Sequence, residues 1–488
     1  MQEFEQGLLH LAIARHPLYN SFEGEIMTLN RPVHDMLTEC KGRLRLHVPG
    51  HKGQAIFGGE YILDYDMTEL DITDDLYHPS GAIQKAQELL ALSAASGHSF
   101  FLTGGSTAGI LTMLLYATKP GDTVILPRNA HLSCINGCIL ADLNPVFVPF
   151  DITADGFSYI QADSILKAIV KHPEAKAVLV TRPDYYGGMM PLAGIAAAAH
   201  ARGMRLLVDE AHGAHFNWMH GVETASSAGA DLWVQSAHKT LPAMTPAAFL
   251  HIGKLEDADR ARRMLRMVQT SSPAFYLMKS MDDARAWMDT HGADRLASLK
   301  KRLTTFRYML KEIGYQDAHE AWRDLPLTFD ETRLVISAPQ GGFALTSELK
   351  RLSVDAEMAD DRRVVCVFSV MDDEETFSKL ETSLRLIKKV TAVPALTPYI
   401  SHQLPRRIMP PRHAALSDVE WVDMAEAMGR VLASSVGLYP PGIPLVTPGE
   451  EIPYESIALL LSVPERNRFG IVDGRILCVK ETSYRRIV

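Results

Sequence analysis

The stretch LLVDEAHGAH, residues 206–215, begins as an apolar run and breaks off at an aspartate. A second stretch, WVQSAHKTLPAMT (233–245), repeats the pattern with a serine, a histidine and a lysine after the apolar residues. Short apolar runs bounded by turn-forming residues predict buried strands. A charged group at the end of a buried strand needs a partner or a ligand, because desolvating an unpaired charge is costly. Both stretches therefore predict strands that end in chemically useful groups.

The same pattern continues along the chain in both directions. Further strands are predicted at 99–103, 122–127, 144–150 and 175–183. Helical patterns lie between most of the strands, at 82–97, 104–118, 131–141, 164–172 and 192–203. Buried strands that alternate with helices predict an α/β fold with a mostly parallel sheet covered by helices on both faces.

The remaining chain predicts two further domains. A long amphipathic helix is expected at 281–313, and strands at 332–338 and 362–370 with a helix at 374–390 give an α+β pattern. The expected domains are an N-terminal helical segment (1–30), a large domain (31–280), a small α+β domain (281–398) and a C-terminal domain (399–488).

Several segments between these elements are read from their composition. We expect a helix at 8–15, ordered irregular structure at 44–81 and a linker at 391–398. The stretch LYPPGIPLVTPGEEI (438–452) is dense in proline and glycine, which predicts a rigid turn rather than a secondary-structure element.

Composition narrows the class of function. Lys+Arg total 49 against 58 Asp+Glu, a net charge of -9, which argues against a nucleic-acid partner. No apolar run is long enough to span a membrane, and the first residues lack the basic start and cleavage site of a signal peptide. The five cysteines include no CxxC pair, so we expect no disulfide framework, no zinc site and a cytoplasmic protein. Cys134 and Cys138 are expected in the core.

Four groups of residues fall at predicted strand ends, where open parallel sheets bind ligands. In the first, TGGSTAG (103–109), a glycine turn leads into a helix with Ser106 and Thr107 in its first turn. Unpaired N–H groups at a helix N-terminus suit a phosphate. The alternative is an ordinary Ser/Thr helix cap.

The second group centres on Asp209, which could hold a protonated ring nitrogen or cap the next helix. His212 and His215 follow, but no third ligand suggests a metal site.

The third and fourth groups are Lys239 and His131. A partly desolvated lysine has a lowered pKa and becomes a nucleophile for carbonyls, whereas a surface lysine extends to solvent. His131 could stack on a planar ligand or serve as a structural histidine.

Each group is weak evidence alone, but their order along the chain fits one cofactor. Pyridoxal phosphate needs a lysine for its aldehyde, an anion for its pyridinium and amide N–H groups for its phosphate. Asp209 and Lys239, thirty residues apart, and the glycine turn before Ser106 supply these three requirements.

These motifs resemble the ornithine/lysine/arginine decarboxylase family of fold-type I pyridoxal-phosphate enzymes. The resemblance covers most of the chain. It rests on the motifs HVPGHKG (47–53), DDLYHPSG (74–81), GGSTAG (104–109), RNAHLS (128–133), VDEAHGAH (208–215), SAHKTL (236–241), SSPAFYLMKSMDDAR (271–285) and YPPGIPLVTPGE (439–450). It implies a large domain like that of aspartate aminotransferase. The likeness is greatest to short Gram-positive-type members without an N-terminal wing domain, which implies a homodimer or larger homo-oligomer.

The resemblance assigns roles by position. Lys239 would be the Schiff-base lysine, and Asp209 would pair with the pyridine nitrogen. Ala211 and His131 would lie on opposite faces of the ring. The remaining cofactor contacts would come from Ser106, Thr107, Ser236 and His238 at the phosphate, with His212 also in the cofactor site.

The chain departs from the family pattern at three positions near the expected pocket. Leu132 stands where the family has lysine, Pro246 where it has glutamine, and Asp184 where it has threonine. As a hypothesis, Asp184 faces a cationic substrate group or a nearby histidine.

The implied reaction is decarboxylation of a small-molecule basic amino acid, with arginine ahead of lysine and ornithine. Lys239 or His131 would protonate Cα. The candidates for binding the distal cation are Glu69, Asp71, Asp74, Asp75 and Glu450 or Glu451, although a solvated acidic loop would look the same.

Two other functions stay open. An aminotransferase or aldolase could use the same fold, with Arg333 or Arg385 binding the substrate carboxylate. A catalytically inactive binding protein is the third possibility.

Overall fold

The computed structural model describes residues 29–49, 51–52, 60–388, 404–439 and 442–484. The helix expected at 8–15 and the linker expected at 391–398 lie outside the described residues.

A seven-stranded sheet forms the centre of the large domain. Its strands in chain order are β1 (His98–Leu102), β2 (Thr123–Pro127), β3 (Asn144–Val148), β4 (Ala177–Thr181), β5 (Arg205–Asp209), β6 (Leu232–Gln235) and β7 (Ala248–Ile252). Their spatial order is β1-β7-β6-β5-β4-β2-β3. Only β7 runs antiparallel to its neighbours, so the mostly parallel sheet predicted from the sequence is confirmed.

Strand β7 was not predicted. His251 interrupts its apolar run, yet this histidine is fully buried. Its ring nitrogens lie 2.7 Å from Ser99 Oγ and 3.1 Å from Gln235 Oε1, on the two strands beside β7. Because both nitrogens have partners, the sheet accommodates the polar ring.

Helices cover both faces of this sheet. Those of the large domain are α1 (Pro32–Glu39), α2 (Ala82–Ser93), α3 (Gly105–Ala117), α4 (Leu132–Leu140), α5 (Ala162–Lys171), α6 (Ala193–His200) and α7 (Ala258–Val268). Alternate residues of β5 enter different cores: Leu207 packs with α3 and α4, whereas Leu206 and Val208 pack with α5 and α6. Cys134 and Cys138 are fully buried in the first of these cores, as expected.

A 38-residue helix, α8 (Phe275–Glu312), joins the large and small domains. Its first half contributes Phe275 and Met288 to a large-domain core, and its second half contributes Leu303 and Leu310 to the small-domain core. The helix crosses the expected domain boundary at 280/281, and the domain division stays a prediction.

The small domain has the α+β pattern expected from the sequence. Its sheet comprises β8 (Gln316–Asp317), β9 (Arg333–Ser337), β10 (Met358–Ala359) and β11 (Arg363–Val367), covered by α9 (Gly342–Arg351) and α10 (Glu374–Leu386). The antiparallel spatial order is β8-β9-β11-β10.

The C-terminal region forms two three-stranded sheets. Its elements are α11 (Pro411–Ala415), β12 (Val419–Asp423), β13 (Val436–Leu438), β14 (Ile443–Val446), α12 (Tyr454–Ser462), β15 (Arg468–Phe469), β16 (Ile471–Val472) and β17 (Arg475–Val479). The sheet orders are β12-β17-β16 and β14-β13-β15.

Strand β14 corrects the expectation of a turn without secondary structure at 438–452. Residues Ile443–Val446 pair with β13. Because β14 is an edge strand, Pro444 can occupy it without breaking a ladder on its free side.

The described part of the chain contains no helix that is long and apolar enough to cross a membrane.

Helix α3 lies close to the sheet at Gly109. A Cβ atom there would sit 2.5 Å from Val234 Cγ2 and 2.8 Å from Leu102 Cδ1. Gly109→Ala is therefore expected to lower the free energy of unfolding by about 1–3 kcal/mol, since overpacking outweighs the gain in helix propensity. Urea denaturation measures the change.

The matched control is Gly194→Ala in α6, where a Cβ atom would meet nothing within 4 Å. This variant is expected to be unchanged or more stable by up to about 1 kcal/mol. Equal stability of the two variants would contradict the close approach of α3 to the sheet.

Candidate functional site

The ends of four strands bring the predicted groups to one edge of the sheet. Asp209 at the end of β5 lies in register with Thr181 of β4 and Val234 of β6. Across β7, the end of β1 reaches the same edge, because Leu102 faces Ala248 and Gln235 faces Phe249.

Lys239 lies in a short helical turn, Ala237–Thr240, directly after β6. Its Nζ is 3.0 Å from His212 Nε2. Burial lowers the pKa of Lys239, the Arg333 charge lowers it further, and Asp209 and Glu357 act in the opposite direction. The lysine thus has a larger neutral fraction than a solvated lysine.

His212 connects Lys239 to the small domain. Its Nδ1 is 2.9 Å from Nη2 of Arg333 on β9, and its ring centroid is 4.6 Å from that of Tyr185. Burial, together with the charges of Lys239 and Arg333, holds the pKa of His212 well below its ordinary value. The imidazole is therefore neutral at physiological pH.

Asp209 is a buried carboxylate with only 4% of its surface exposed. Its Oδ1 accepts a hydrogen bond of 3.2 Å from the Ala211 backbone N–H. Burial raises the pKa of Asp209, while His131 and Lys239 favour its charged form. An aspartate in this setting gains from a further cationic partner.

His131 caps the N-terminus of α4. Its Nδ1 accepts from the Ser133 backbone N–H at 3.2 Å, and burial lowers the pKa of His131. Its Nδ1 also lies 2.8 Å from Ser133 Oγ, so Ser133 engages this edge of the ring through both its backbone and its side chain. The C-terminal region approaches this ring, since a Cβ on Gly442 would lie 3.8 Å from Nε2.

The N-terminus of α3 has no side-chain cap. The backbone N–H groups of Thr103 and Gly104 donate to Gln269 Oε1, at 2.9 and 3.3 Å. Ser106 is half-buried and Thr107 is exposed in the first turn. The first N–H groups of this helix therefore lie at the sheet edge that also holds Lys239.

Ser236 and His238 flank Lys239 differently. Ser236 is fully buried, and its Oγ has no hydrogen-bond partner among the described residues. Its backbone N–H donates to Ala211 O at 3.2 Å, which places Ser236 beside the β5 loop. His238 Nδ1 donates to Ala247 O at 2.8 Å, so that edge of its ring is already engaged.

Most acidic candidates for a distal cation already have partners. Asp74 accepts from the backbone N–H groups of Ser80, Gly81 and Ile83, which makes it a helix cap. Glu451 pairs with Arg406.

Glu450 has a buried partner. It forms a bidentate pair with Arg128, at 2.9 and 2.7 Å. This pair joins the His131 loop to the C-terminal region.

The three departures from the family pattern have local structural settings. Leu132 is the first residue of α4, and Pro246 lies against Gly105, whose φ is +72°. Asp184 Oδ1 accepts from the backbone N–H groups of Tyr186 and Gly188, at 2.9 and 2.8 Å. The Asp184 carboxylate thus supports its own turn.

The sequence did not link Arg333 to Lys239. Arg333 is fully buried, and its Nε and Nη1 have no hydrogen-bond partner among the described residues. The sequence shows an arginine at the start of a predicted buried strand. Its contact with His212 could not be predicted, because the two residues are 121 positions apart in the chain. Arg385, the other candidate arginine, pairs with Glu381 on its own helix.

Tyr185 and Gln269 were also missed. Each lies outside the motifs that suggested the site, and each reaches it only through tertiary contacts, with His212 and with the Thr103–Gly104 backbone.

The arrangement can hold a planar aldehyde that carries a phosphate and a basic ring nitrogen. It offers a desolvated lysine, a buried carboxylate, a serine hydroxyl without a partner among the described residues and the first N–H groups of helix α3. In the described ranges, no group of three or more His, Cys, Asp or Glu residues is arranged to hold a metal ion.

Comparison with known proteins gives consistent matches. Residues 32–331 match the model for the Orn/Lys/Arg decarboxylase major domain, and residues 395–467 match that for the C-terminal domain of the same family. An uncharacterized protein of Bacillus subtilis is 33% identical over 453 residues, covering 88% of this chain and 94% of that protein. An arginine decarboxylase of Bacillus subtilis is 31% identical over 439 residues, covering 86% of this chain and 90% of that enzyme.

The fold also matches a solved structure. Lysine decarboxylase A from Pseudomonas aeruginosa superposes with a TM-score of 0.80 at 18% identity, covering 93% of this chain and 81% of that one. This likeness confirms the α/β architecture of the fold-type I class.

Burial of Asp184 generates a prediction about stability. Burial raises the pKa of Asp184 from 3.8 to about 7, although the backbone N–H groups that it accepts from oppose the shift. Because the folded state binds the proton more tightly, this group costs stability as pH rises from about 4 to about 7. Asp184→Asn is expected to gain on the order of 1–3 kcal/mol relative to the parent over that range.

Urea denaturation at a series of pH values measures the difference. The control is Asp163→Asn, because Asp163 is exposed on α5 and solvent screens its charge. A difference between Asp184→Asn and the parent that does not change from pH 4 to 7 would refute the burial of a proton-binding carboxylate.

Proposed function

The chain belongs to the Orn/Lys/Arg decarboxylase family, and we propose that it uses pyridoxal phosphate at Lys239 to release CO2 from arginine. Lysine and ornithine rank second and third. The arginine decarboxylase of Bacillus subtilis is 31% identical to this chain, whereas lysine decarboxylase A from Pseudomonas aeruginosa is 18% identical. This difference supports placing arginine ahead of lysine.

The observation that carries the proposal is the environment of Lys239. Its Nζ lies 3.0 Å from a neutral histidine, and burial lowers its pKa. The unprotonated amine is the form of lysine that attacks a carbonyl.

The residues present fit pyridoxal phosphate. Bound there, the cofactor supplies an aldehyde that bonds covalently to amines and a ring that accepts the electron pair left by CO2. Ser236 Oγ, which lacks a partner among the described residues, and the N-terminus of α3 would hold the phosphate, with Ser106, Thr107 and His238 beside it.

The other side chains would orient the ring. Asp209 would keep a proton on the ring nitrogen, since its buried carboxylate is stabilised by a nearby cation. Ala211, which follows Asp209, and His131 would lie on the two faces of the ring. His212 would hold Lys239 in position.

Two side chains could move the proton to Cα. Lys239 and His131 both have lowered pKa values because of burial. A lowered pKa makes the protonated form of each group a stronger acid, which favours transfer of its proton to Cα.

We also propose that the protein assembles as a homodimer or larger homo-oligomer. The family resemblance supports this assembly, as it does the domain division at 280/281 and 398/399.

A second candidate function is transamination. Arg333 favours it, because its buried guanidinium has two nitrogens without partners among the described residues and touches the histidine that contacts Lys239. An arginine so placed could bind a substrate carboxylate. Stoichiometric 2-oxo acid without CO2 would identify this reaction.

The proposed reaction predicts CO2 release by the protein loaded with pyridoxal phosphate. Arginine, lysine and ornithine are supplied separately, and we expect release from arginine to be fastest. Lys239→Ala is expected to fall to the background rate, because no covalent attachment point remains. Absence of CO2 from all three substrates in a cofactor-loaded protein would overturn the proposal.

The assignment of Ser236 predicts a change in cofactor affinity. Ser236→Ala removes a hydrogen bond to a charged phosphate, worth about 1.5–3 kcal/mol, so pyridoxal phosphate should bind roughly ten- to a hundredfold more weakly. Equilibrium dialysis measures the affinity.

The control is Ser99→Ala, a buried serine on β1 whose hydroxyl bonds His251 at 2.7 Å. It is expected to leave cofactor affinity unchanged. Parent-like affinity of Ser236→Ala would remove Ser236 from the phosphate site.

A further inference from the structure

Arg333, His212 and Lys239 form a continuous chain of contacts from the small domain to the large domain. Arg333 Nη2 lies 2.9 Å from His212 Nδ1, and His212 Nε2 lies 3.0 Å from Lys239 Nζ. All three side chains are at least partly removed from solvent, and Arg333 is fully buried. The three side chains themselves therefore determine which atom donates and which accepts at each of these contacts.

Arg333 determines where the proton of His212 lies. A guanidinium has only N–H donors and keeps its charge in proteins. The contact at 2.9 Å therefore requires His212 Nδ1 to accept. With a lone pair on Nδ1, the neutral imidazole carries its single proton on Nε2.

The proton on Nε2 then determines the state of Lys239. An Nε2–H group at 3.0 Å from Nζ can only donate, so Nζ must accept with a lone pair. If Lys239 were an ammonium donating to Nε2, both ring nitrogens would have to accept, which only an imidazolate anion could do.

We propose that Arg333 is a positioning residue that acts through His212: its donation to Nδ1 fixes the imidazole proton on Nε2 and so holds the Lys239 nitrogen as a neutral acceptor. This inference rests on the proposed function in one respect: the neutral amine is useful because it can attack a carbonyl.

The backbone around Arg333 fixes the start of its side chain. Gly187 has a φ of +89°, and a Cβ atom there would lie 2.8 Å from Arg333 Cγ. The Arg333 N–H donates to Asp330 O at 3.0 Å, and the Asp330 N–H donates to Gly187 O at 2.8 Å. The turn at Asp330 and the close approach of Gly187 thus restrict where the arginine side chain leaves its strand.

Other charges also act on Lys239. Asp209 and Glu357 favour its ammonium form, whereas Arg333 disfavours it, and the neighbouring imidazoles are His212, His131 and His238. The carboxylates would pull a proton onto Lys239 if the proton on His212 were free to move to Nδ1. The contact with Arg333 prevents that move.

The experiment measures Lys239 directly in the protein without cofactor. Acetic anhydride labels neutral amines, so the rate of Lys239 acetylation as a function of pH, followed by peptide mass spectrometry, gives the midpoint of its titration. Lys85, exposed on α2, is the internal reference for reagent activity. Two variants are compared. Arg333→Met removes the hydrogen-bond donor to His212 Nδ1. Arg333→Lys keeps a charged group that can donate a hydrogen bond but cannot accept one.

We expect the midpoint in Arg333→Met to rise by at least about one pH unit, which corresponds to about tenfold slower labelling below the midpoint. Arg333→Lys should restore much of the parental midpoint. Glu357→Gln removes a negative charge that favours the ammonium form of Lys239 and leaves the Arg333–His212 contact in place. It should therefore lower the midpoint of the Lys239 titration. An unchanged midpoint in Arg333→Met would overturn the proposal.

The imidazole ¹⁵N shifts of His212 separate proton placement from a simple charge effect. They are assigned by the signals that His212→Asn removes. We expect an unprotonated Nδ1 and a protonated Nε2 in the parent, and a mixture of tautomers in Arg333→Met. A protonated Nδ1 in the parent would also overturn the proposal.

Two measurements keep this inference distinct from the proposed reaction. Urea denaturation of each variant tests whether it is folded, because removing one member of a group of buried charges is destabilising, and only folded variants enter the comparison. The acetylation and ¹⁵N readouts need neither cofactor nor substrate. Failure to release CO2 would therefore overturn the proposed function without altering the result for Arg333.

Discussion

The site depends on the register of the parallel strands. Pairing of β4, β5 and β6 sets Thr181, Asp209 and Val234 at the same level, so the chain leaves all three strands at a common edge. A shift of one residue would turn Asp209 to the opposite face and exchange Leu207 with its neighbours between the two cores. The two-sided burial of β5 therefore fixes the position of the charged group at its end.

The sequence was sufficient for features that depend on neighbouring residues. Strand ends, the glycine turn before Ser106 and the apolar run before Lys239 are local patterns, and they located most of the proposed site. The contact of Arg333 with His212 depends on how two domains meet, so no local pattern contains it. Two of the strands that the sequence did not predict, β7 and β14, were missed for a common reason: His251 and Pro444 are tolerated because of their neighbours in the sheet, not because of their own propensities.

Two histidines in the site are neutral for related reasons. The Nδ1 of His131 faces a backbone N–H group, and the Nδ1 of His212 faces a guanidinium. A guanidinium cannot accept a hydrogen bond, so the neutral His212 ring carries its proton on Nε2. Burial lowers the pKa of both histidines, which keeps added positive charge away from Lys239. Burial raises the pKa of Asp209, and His131 and Lys239 act in the opposite direction.

The Arg128–Glu450 pair makes the C-terminal region part of the same cooperative unit as the loop that carries His131. Both side chains are nearly inaccessible, and removing Glu450 from its place would leave Arg128 as an uncompensated charge in a poorly solvated interior, at a cost of about 3–5 kcal/mol. Partial opening of the C-terminal sheets is therefore coupled to loss of order at His131. Opening of either region alone is a high-energy state, so the two should exchange their amide hydrogens together rather than as independent subglobal units.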